Sequence, residues 1–167
     1  MRPGDHPEFF RFPAPEGVSR ESTIVLDAEG RFWHDGVRVE RATMTRAFAS
    51  WIRRHPDDDR FILSNDYDWT YFTVVAVPFF VERIEFEGDV VRATLFDGSR
   101  ETLDSTTLRL GPGDRVSCRV KSGKFEAQLS RSAQLALGEA VFERPDGGLG
   151  LRVGNVEMQL NSDVEYG

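Results

Sequence analysis

One stretch constrains this chain more than any other: Gly30 to Pro56, GRFWHDGVRVERATMTRAFASWIRRHP. Asp35-Gly36 stands between Arg31–His34 and Val37/Val39, the strongest short hairpin signal in the chain, because a two-residue hairpin turn needs positive φ, which Asp and Gly tolerate. The apolar period then lengthens from two to about 3.6 residues. Met44, Ala47, Phe48, Trp51 and Ile52 fall on one stripe of a helix that opens at Ala42 or Thr43. Arg53, Arg54 and His55 suit the negative end of the helix dipole, and Pro56 stops the helix. A hairpin running directly into a helix predicts α+β architecture, and the remainder of the chain is read around it.

Upstream, residues 1–20 hold Pro3, Pro7, Pro13 and Pro15, half of the 8 prolines. Proline withholds a backbone donor and restricts its neighbour, so an extended arm is expected. Phe9, Phe10 and Phe12 make it adhesive toward the body or a second subunit. Thr23–Asp27 is strand-like. Downstream, Asp57-Asp58-Asp59 is a solvated turn, and Arg60–Leu63 and Trp69–Val77 read as strands. After Pro78, short strands alternate with Gly88-Asp89, Asp97-Gly98, Gly111-Pro112-Gly113 and Ser122-Gly123 turns, the spacing of an antiparallel sheet. Ser130 is a suitable N-cap for a short helix, Arg131–Leu137, closed by Gly138. Three strands then lie within Ala140–Leu160. A glycine-turned hairpin feeds a helix in each half, at Gly36 and again at Gly123, which suggests a structural repeat. The predicted fold is α+β, with two lobes of curved, roll-like antiparallel sheet and one helix packed on each. The predicted layout is an arm (1–20), an N-terminal α+β lobe (21–78), a β-rich C-terminal lobe with one short helix (79–160) and an acidic tail (161–167).

Several of these stretches together resemble the domain of unknown function 1285 family of bacterial proteins. The matching pieces are Gly30-x-x-Trp33-His34-x-Gly36 before a helix with Phe48, then Pro78-Phe79, then Gly123-x-Phe125-x-Ala127-x-Leu129-Ser130-Arg131. Order and spacing agree over roughly residues 23–142. The family's acidic residue before Pro-Phe is replaced here by Ala76-Val77, and its Trp-Ser-x-Gly-type ending has no counterpart. The resemblance implies a two-lobed α+β fold of rolled sheets built from repeated motifs, with signalling or ligand binding. It carries no catalytic residue or cofactor. Trp33, Gly36 and Gly123 match as positions that specify the fold.

Composition narrows the function classes. Net charge is -7, which argues against nucleic acid, since phosphate neutralisation needs a basic surface. Locally the sign reverses. Arg31, Arg38, Arg41, Arg46, Arg53 and Arg54 against Asp35 and Glu40 give 6 − 2 = +4 between Arg31 and Arg54, leaving -11 on the rest. Cys118 is the single cysteine, so no internal disulfide or cysteine-rich zinc site can form, and its place in a strand predicts a buried thiol. No apolar run suits a signal peptide or a membrane span, so a cytoplasmic protein without membrane association is expected.

No reaction signature stands out. His6, His34 and His55 lack partners at metal-ligand or base–nucleophile spacing, so neither a catalytic residue, a metal nor a cofactor is expected. The acidic turns lack the glycine and terminal glutamate of a calcium loop, and the glycine pairs lack a phosphate loop's Lys-Ser/Thr. What remains is recognition chemistry. Arg46 and Arg53, seven residues apart, would share the helix face opposite the apolar stripe and could hold an anion. Trp33 and His34 lie on the hairpin. Tyr67, Trp69 and Tyr71 alternate along one strand face, as core packing or, if exposed, as a platform. The expected function is a cytoplasmic binding or regulatory module for a protein partner or small anionic ligand. A homodimer is also possible through an edge strand or the phenylalanine arm. The alternative is a small-molecule enzyme using His34 and sheet carboxylates.

Overall fold

The computed structural model describes residues 1–162, with backbone alone for Asn161 and Ser162, and divides into two units, Met1–Ala76 and Val77 onward. Beyond Ser162 the expected acidic tail lies outside the described residues.

The first unit is built from the hairpin outward. Strands β1 (Val25–Leu26), β2 (Phe32–His34) and β3 (Val37–Arg38) lead into helix α1 (Ala42–Ser50). Asp35 and Gly36 take φ 52° and 77°, the two left-handed positions the turn requires. Trp33 lies opposite Arg38 and His34 opposite Val37. Asp35 is pinned by Thr23, whose Oγ1 donates to Asp35 Oδ1 at 2.6 Å and accepts from its backbone N–H at 2.9 Å. Phe32 turns inward, fully buried, with its ring 5.5 Å from Phe48 of α1.

The helix ends sooner than its periodicity predicts. Trp51 is already the C-cap, and Ile52–Arg54 forms strand β4, paired with β5 (Phe61–Ser64). Tertiary pairing overrides the helical stripe. Ile52 is 1% exposed opposite Leu63, and the Ser64 N–H donates to the Trp51 carbonyl at 2.9 Å. Met44 is consequently exposed, and Ala49 is the one α1 residue that is buried outright. Strands β6 (Trp69–Tyr71) and β7 (Thr73–Val74) complete the unit, giving two sheets ordered β3-β2-β1-β7 and β4-β5-β6.

The N-terminal arm is folded rather than extended. Pro3–Asp5 and Phe9–Arg11 are single 3₁₀ turns, and proline suits the first position of such a turn because its missing N–H has no partner there anyway. Phe9 inserts against Ile62 and Trp69, and burying one such ring is worth about 2–3 kcal/mol. The Gly4 N–H donates to the Asp66 carbonyl at 2.6 Å, an approach so close that a Cβ on Gly4 would lie 2.8 Å from the Asp66 Cα.

In the second unit the strands are β8 (Phe79–Glu87), β9 (Val90–Leu95), β10 (Arg100–Thr102), β11 (Arg109–Leu110), β12 (Val116–Val120) and β13 (Phe125–Leu129). Helix α2 (Arg131–Gly138) precedes β14 (Val141–Glu143), β15 (Leu149–Val153), β16 (Val156–Gln159) and β17 (Asn161–Ser162). They form a seven-stranded sheet, β10-β9-β8-β13-β12-β11-β17, and a three-stranded sheet, β14-β15-β16. Ser130 caps α2 as expected, its Oγ accepting from the Ala133 N–H at 3.1 Å. Ala133 and Leu137 are the buried residues of that helix. Pairing is mainly antiparallel, with three parallel exceptions: β1 with β7, β8 with β13, and β11 with β17.

The large sheet is rolled but open. Strands β10 and β12 are separated by three others, which would set them ~19 Å apart in a flat sheet. Yet the backbone N–H of Lys121, just past β12, donates to both carboxylate oxygens of Glu101 on β10 at 3.2 and 3.3 Å. Lys121 Nζ reaches Asp97 Oδ2 at 2.8 Å and Ser99 Oγ at 2.9 Å, between β9 and β10. The β10 end of the sheet therefore curls back onto the turn after β12.

Candidate functional site

The first candidate surface is the outer face of the β2–β3 hairpin. Period-two alternation places Arg31 and Trp33 on one side of the ladder, and Arg38 faces Trp33 across it. Trp33 is half-buried and fixed, its indole Nε1 donating to Asp27 Oδ2 at 2.8 Å. The other oxygen of Asp27 accepts from the Glu29 and Arg31 N–H groups, each at 2.9 Å. Burial alone would raise the pKa of this carboxyl. The indole and the two backbone donors outweigh burial and hold it below its ordinary value. Arg31, Arg38 and Arg41 are all exposed, and Arg41 begins α1 without a side-chain cap. Arg38 and Arg41 make no side-chain hydrogen bond or ion pair among the described residues.

The two helix arginines fare differently. Arg46 is exposed on α1. Arg53 lies on β4, so the two do not share a helix face. The Arg53 guanidinium turns back on its own chain, with Nη1 donating to the Ser50 carbonyl at 3.1 Å and the Ile52 carbonyl at 2.9 Å. The Ser50 carbonyl is one that the early helix end leaves open. His34 is exposed on the hairpin, with Nε2 3.6 Å from Asp35 Oδ2.

The aromatic ladder separates as well. Tyr67 is exposed on the turn before β6, Trp69 is buried, and Tyr71 is half-buried. Trp69 and Tyr71 stand edge to face at 5.1 Å and continue into Phe10 and His55. The sequence placed His55 at a helix end; it is in fact a buried hub. Its Nδ1 accepts from the Asp57 N–H at 3.1 Å, so the ring proton sits on Nε2 and is donated to the Phe10 carbonyl at 2.9 Å. Tyr71 Oη donates to Asp58 Oδ2 at 2.6 Å. Burial, then this bond, push the Tyr71 pKa to about 12.

A second candidate lies in the other unit and carries no mark in the sequence. Two open cavities adjoin along β12, of about 430 and 520 Å³, and Arg119 lines both. The smaller takes Thr106, Thr107, Ser117 and Glu126 into its wall, and the larger takes Glu101, Thr102, Asp104 and the Lys121-Ser122-Gly123 turn. Cys118, on the inner side of β12, is 1% exposed, and burial pushes its thiol up to about 12, which makes it a packing residue rather than a nucleophile. Among the described residues no group of three or more His, Cys, Asp or Glu is placed to hold a metal ion, and no helix is long and apolar enough to cross a membrane.

Comparison with known proteins bears on the fold alone. Neither a family model nor a curated protein matches the sequence. A DUF1285 family protein from Silicibacter pomeroyi aligns with a TM-score of 0.67 at 20% identity, over 92% of this chain and 93% of that one. A second, from Shewanella baltica, aligns with a TM-score of 0.54 at 19% identity, over 68% of this chain and 87% of that one. The residues that carried the resemblance have structural work to do here. Gly36 and Gly123 both adopt φ 77°, Phe79 opens β8, and Ser130 caps α2. This chain has a DUF1285-like fold, α+β with open, curved, mainly antiparallel sheets.

Proposed function

We propose that the chain is a non-catalytic binding module that docks an acidic segment of a protein partner on the β2–β3 hairpin face. One observation carries this reading. Trp33 is held rigid by Asp27 and faces Arg38 on the same side of the ladder, while the Arg38 and Arg41 guanidinium groups make no bond within the described chain. A fixed aromatic beside uncommitted guanidinium groups is a good anchor for carboxylates, because the planar fork meets them bidentately and little side-chain entropy remains to be lost. The +4 balance of residues 31–54 within a chain of net charge -7 orients an acidic partner toward this region. Of the helix arginines expected to bind, Arg53 is occupied by backbone carbonyls, so the proposal places recognition on the hairpin. Homodimerisation, as part of the same proposal, falls to an edge strand or to Phe12, which is exposed, since Phe9 and Phe10 are engaged within their own unit.

The test is a native pull-down with mass spectrometry, comparing wild type with two charge-reversed variants. Arg38→Glu with Arg41→Glu is expected to lose the acidic partners, and Arg46→Glu with Arg53→Glu is expected to keep them. The opposite pattern would return the site to α1 and overturn the hairpin proposal.

A further inference from the structure

We propose that the larger cavity beside Arg119 is a second, independent binding site, for a small molecule that presents a phosphate or carboxylate group. Lys121, Ser122 and Gly123 take φ 56°, 59° and 77°, three successive left-handed residues of which only the last is glycine. Left-handed backbone costs a residue with a Cβ about 1–2 kcal/mol, and such outliers gather where a loop must hold one geometry for function. In a run of this kind successive N–H groups point the same way along the turn axis, forming a concavity suited to an anion. The first of them, the Lys121 N–H, lies on the Glu101 carboxylate. The N–H groups of Ser122 and Gly123 follow it and have no hydrogen-bond partner among the described residues.

The polar groups around the cavity are unequally committed. Its two carboxylates are partly taken: both Glu101 oxygens accept the Lys121 backbone N–H, and Asp104 Oδ1 accepts the Thr106 N–H at 3.1 Å and the Thr106 hydroxyl at 2.5 Å. Its donors are less so. Arg119 spends only Nε, on the Gly123 carbonyl at 3.1 Å, which aims the guanidinium along the turn and leaves both terminal nitrogens uncommitted. The Thr102 hydroxyl accepts from Arg92 at 2.8 Å and keeps its proton to give. Glu126, opposite Arg119 in the ladder, lines the neighbouring cavity and makes no ion pair with Arg119. The open Arg119 nitrogens and the Ser122 and Gly123 N–H groups take a ligand that supplies acceptors. A guanidinium fork next to aligned backbone N–H groups is the geometry that binds oxyanions. A volume of about 520 Å³ falls in the range of small-molecule sites.

The probe is inorganic phosphate, with acetate in a parallel titration, added to the full ¹⁵N-labelled chain and followed by amide and Arg Nε shifts. Saturable shifts are expected at Ser122, Gly123 and Arg119 Nε. Arg119→Gln should weaken them at least ~tenfold, and Arg119→Lys, which keeps the charge but not the fork, should also weaken them. Arg83→Gln, exposed on β8 of the same unit, should bind as wild type does. Saturation by phosphate alone marks a phosphate ligand, and by acetate alone a carboxylate. Shifts that do not saturate, or that survive in Arg119→Gln, mean an adventitious ion only and overturn the proposal. Full rescue by Arg119→Lys overturns the role of the fork.

Discussion

The ion pair that closes the roll gives a demanding test of the second unit. The Asp97 side chain is 7% exposed and holds Lys121 Nζ at 2.8 Å, while its other oxygen accepts from the Ser99 hydroxyl at 2.6 Å and the Ser99 N–H at 2.9 Å. Asp97→Asn preserves the shape and removes the charge. Breaking a fully buried pair from one side costs about 3–5 kcal/mol, because an unpaired charge stays behind. Lys121 is 31% exposed and can turn toward water, so the expected cost here is about 2 kcal/mol, or roughly 10 °C in the melting of a unit this size. The acid limb fixes the sign independently. Burial alone would raise the Asp97 pKa; the bonds from Lys121 and Ser99 more than offset it and leave it lowered. A carboxyl with a depressed folded pKa contributes stability that is complete above its unfolded value near 3.9 and is lost as pH falls through the folded value. The deficit of Asp97→Asn should therefore be full at pH 7 and close in acid. Trp33, Trp51 and Trp69 all lie in the first unit, so the change is read on amides of the second unit itself. Urea titration followed by hydrogen exchange on β8 and β9 amides is the assay. Equal stabilities at pH 7, or a deficit that persists undiminished in acid, would refute the reasoning.

Phe9→Ala should release the N-terminal turns from Ile62 and Trp69 at a cost of about 3 kcal/mol. Limited proteolysis should then cut between Phe12 and Ser19, and resistance equal to wild type would show that the segment does not depend on this ring. Tyr71 should ionise only near pH 12, read as the ultraviolet difference between wild type and Tyr71→Phe. Because its folded pKa is raised, the stability it contributes is whole below the unfolded value near 10 and is lost as pH climbs through 12; a difference signal already complete at pH 10 would count against burial and the Asp58 bond as its cause. Ser122→Gly should stabilise the second unit by about 0.5–1 kcal/mol by relieving a left-handed φ of 59°, and a lower urea midpoint would show that the Ser122 side chain holds the turn.

The elements legible in the sequence were those set by local chemistry. Asp35-Gly36 dictates its turn, Ser130 its cap, and alternation most strands of the second unit. Pairing at a distance was not legible. Ile52 continues a helical stripe as well as it begins a strand, and only Leu63, brought back by the Asp57–Asp59 turn, decides between them. The prolines of residues 1–20 forbid a ladder but do not exclude 3₁₀ turns. His55 gained its surroundings from Phe10 and Trp69, each remote from it in sequence. Of the candidate binding residues, Trp33 and the positive balance around it were visible because both are local. Arg119 was not, since an outward-facing arginine on a strand is ordinary until the rolled sheet brings Glu101 and Asp104 into the same cavity wall.

The central claim is that the hairpin face recognises acidic chains. Fluorescence anisotropy of a labelled polyglutamate peptide, titrated with wild type and with Arg38→Glu, Arg41→Glu, tests it most directly. Saturable binding is expected to the wild type, weakening as salt rises and falling at least ~tenfold in the variant. Absence of saturable binding to the wild type, or equal affinity for both proteins, would contradict it.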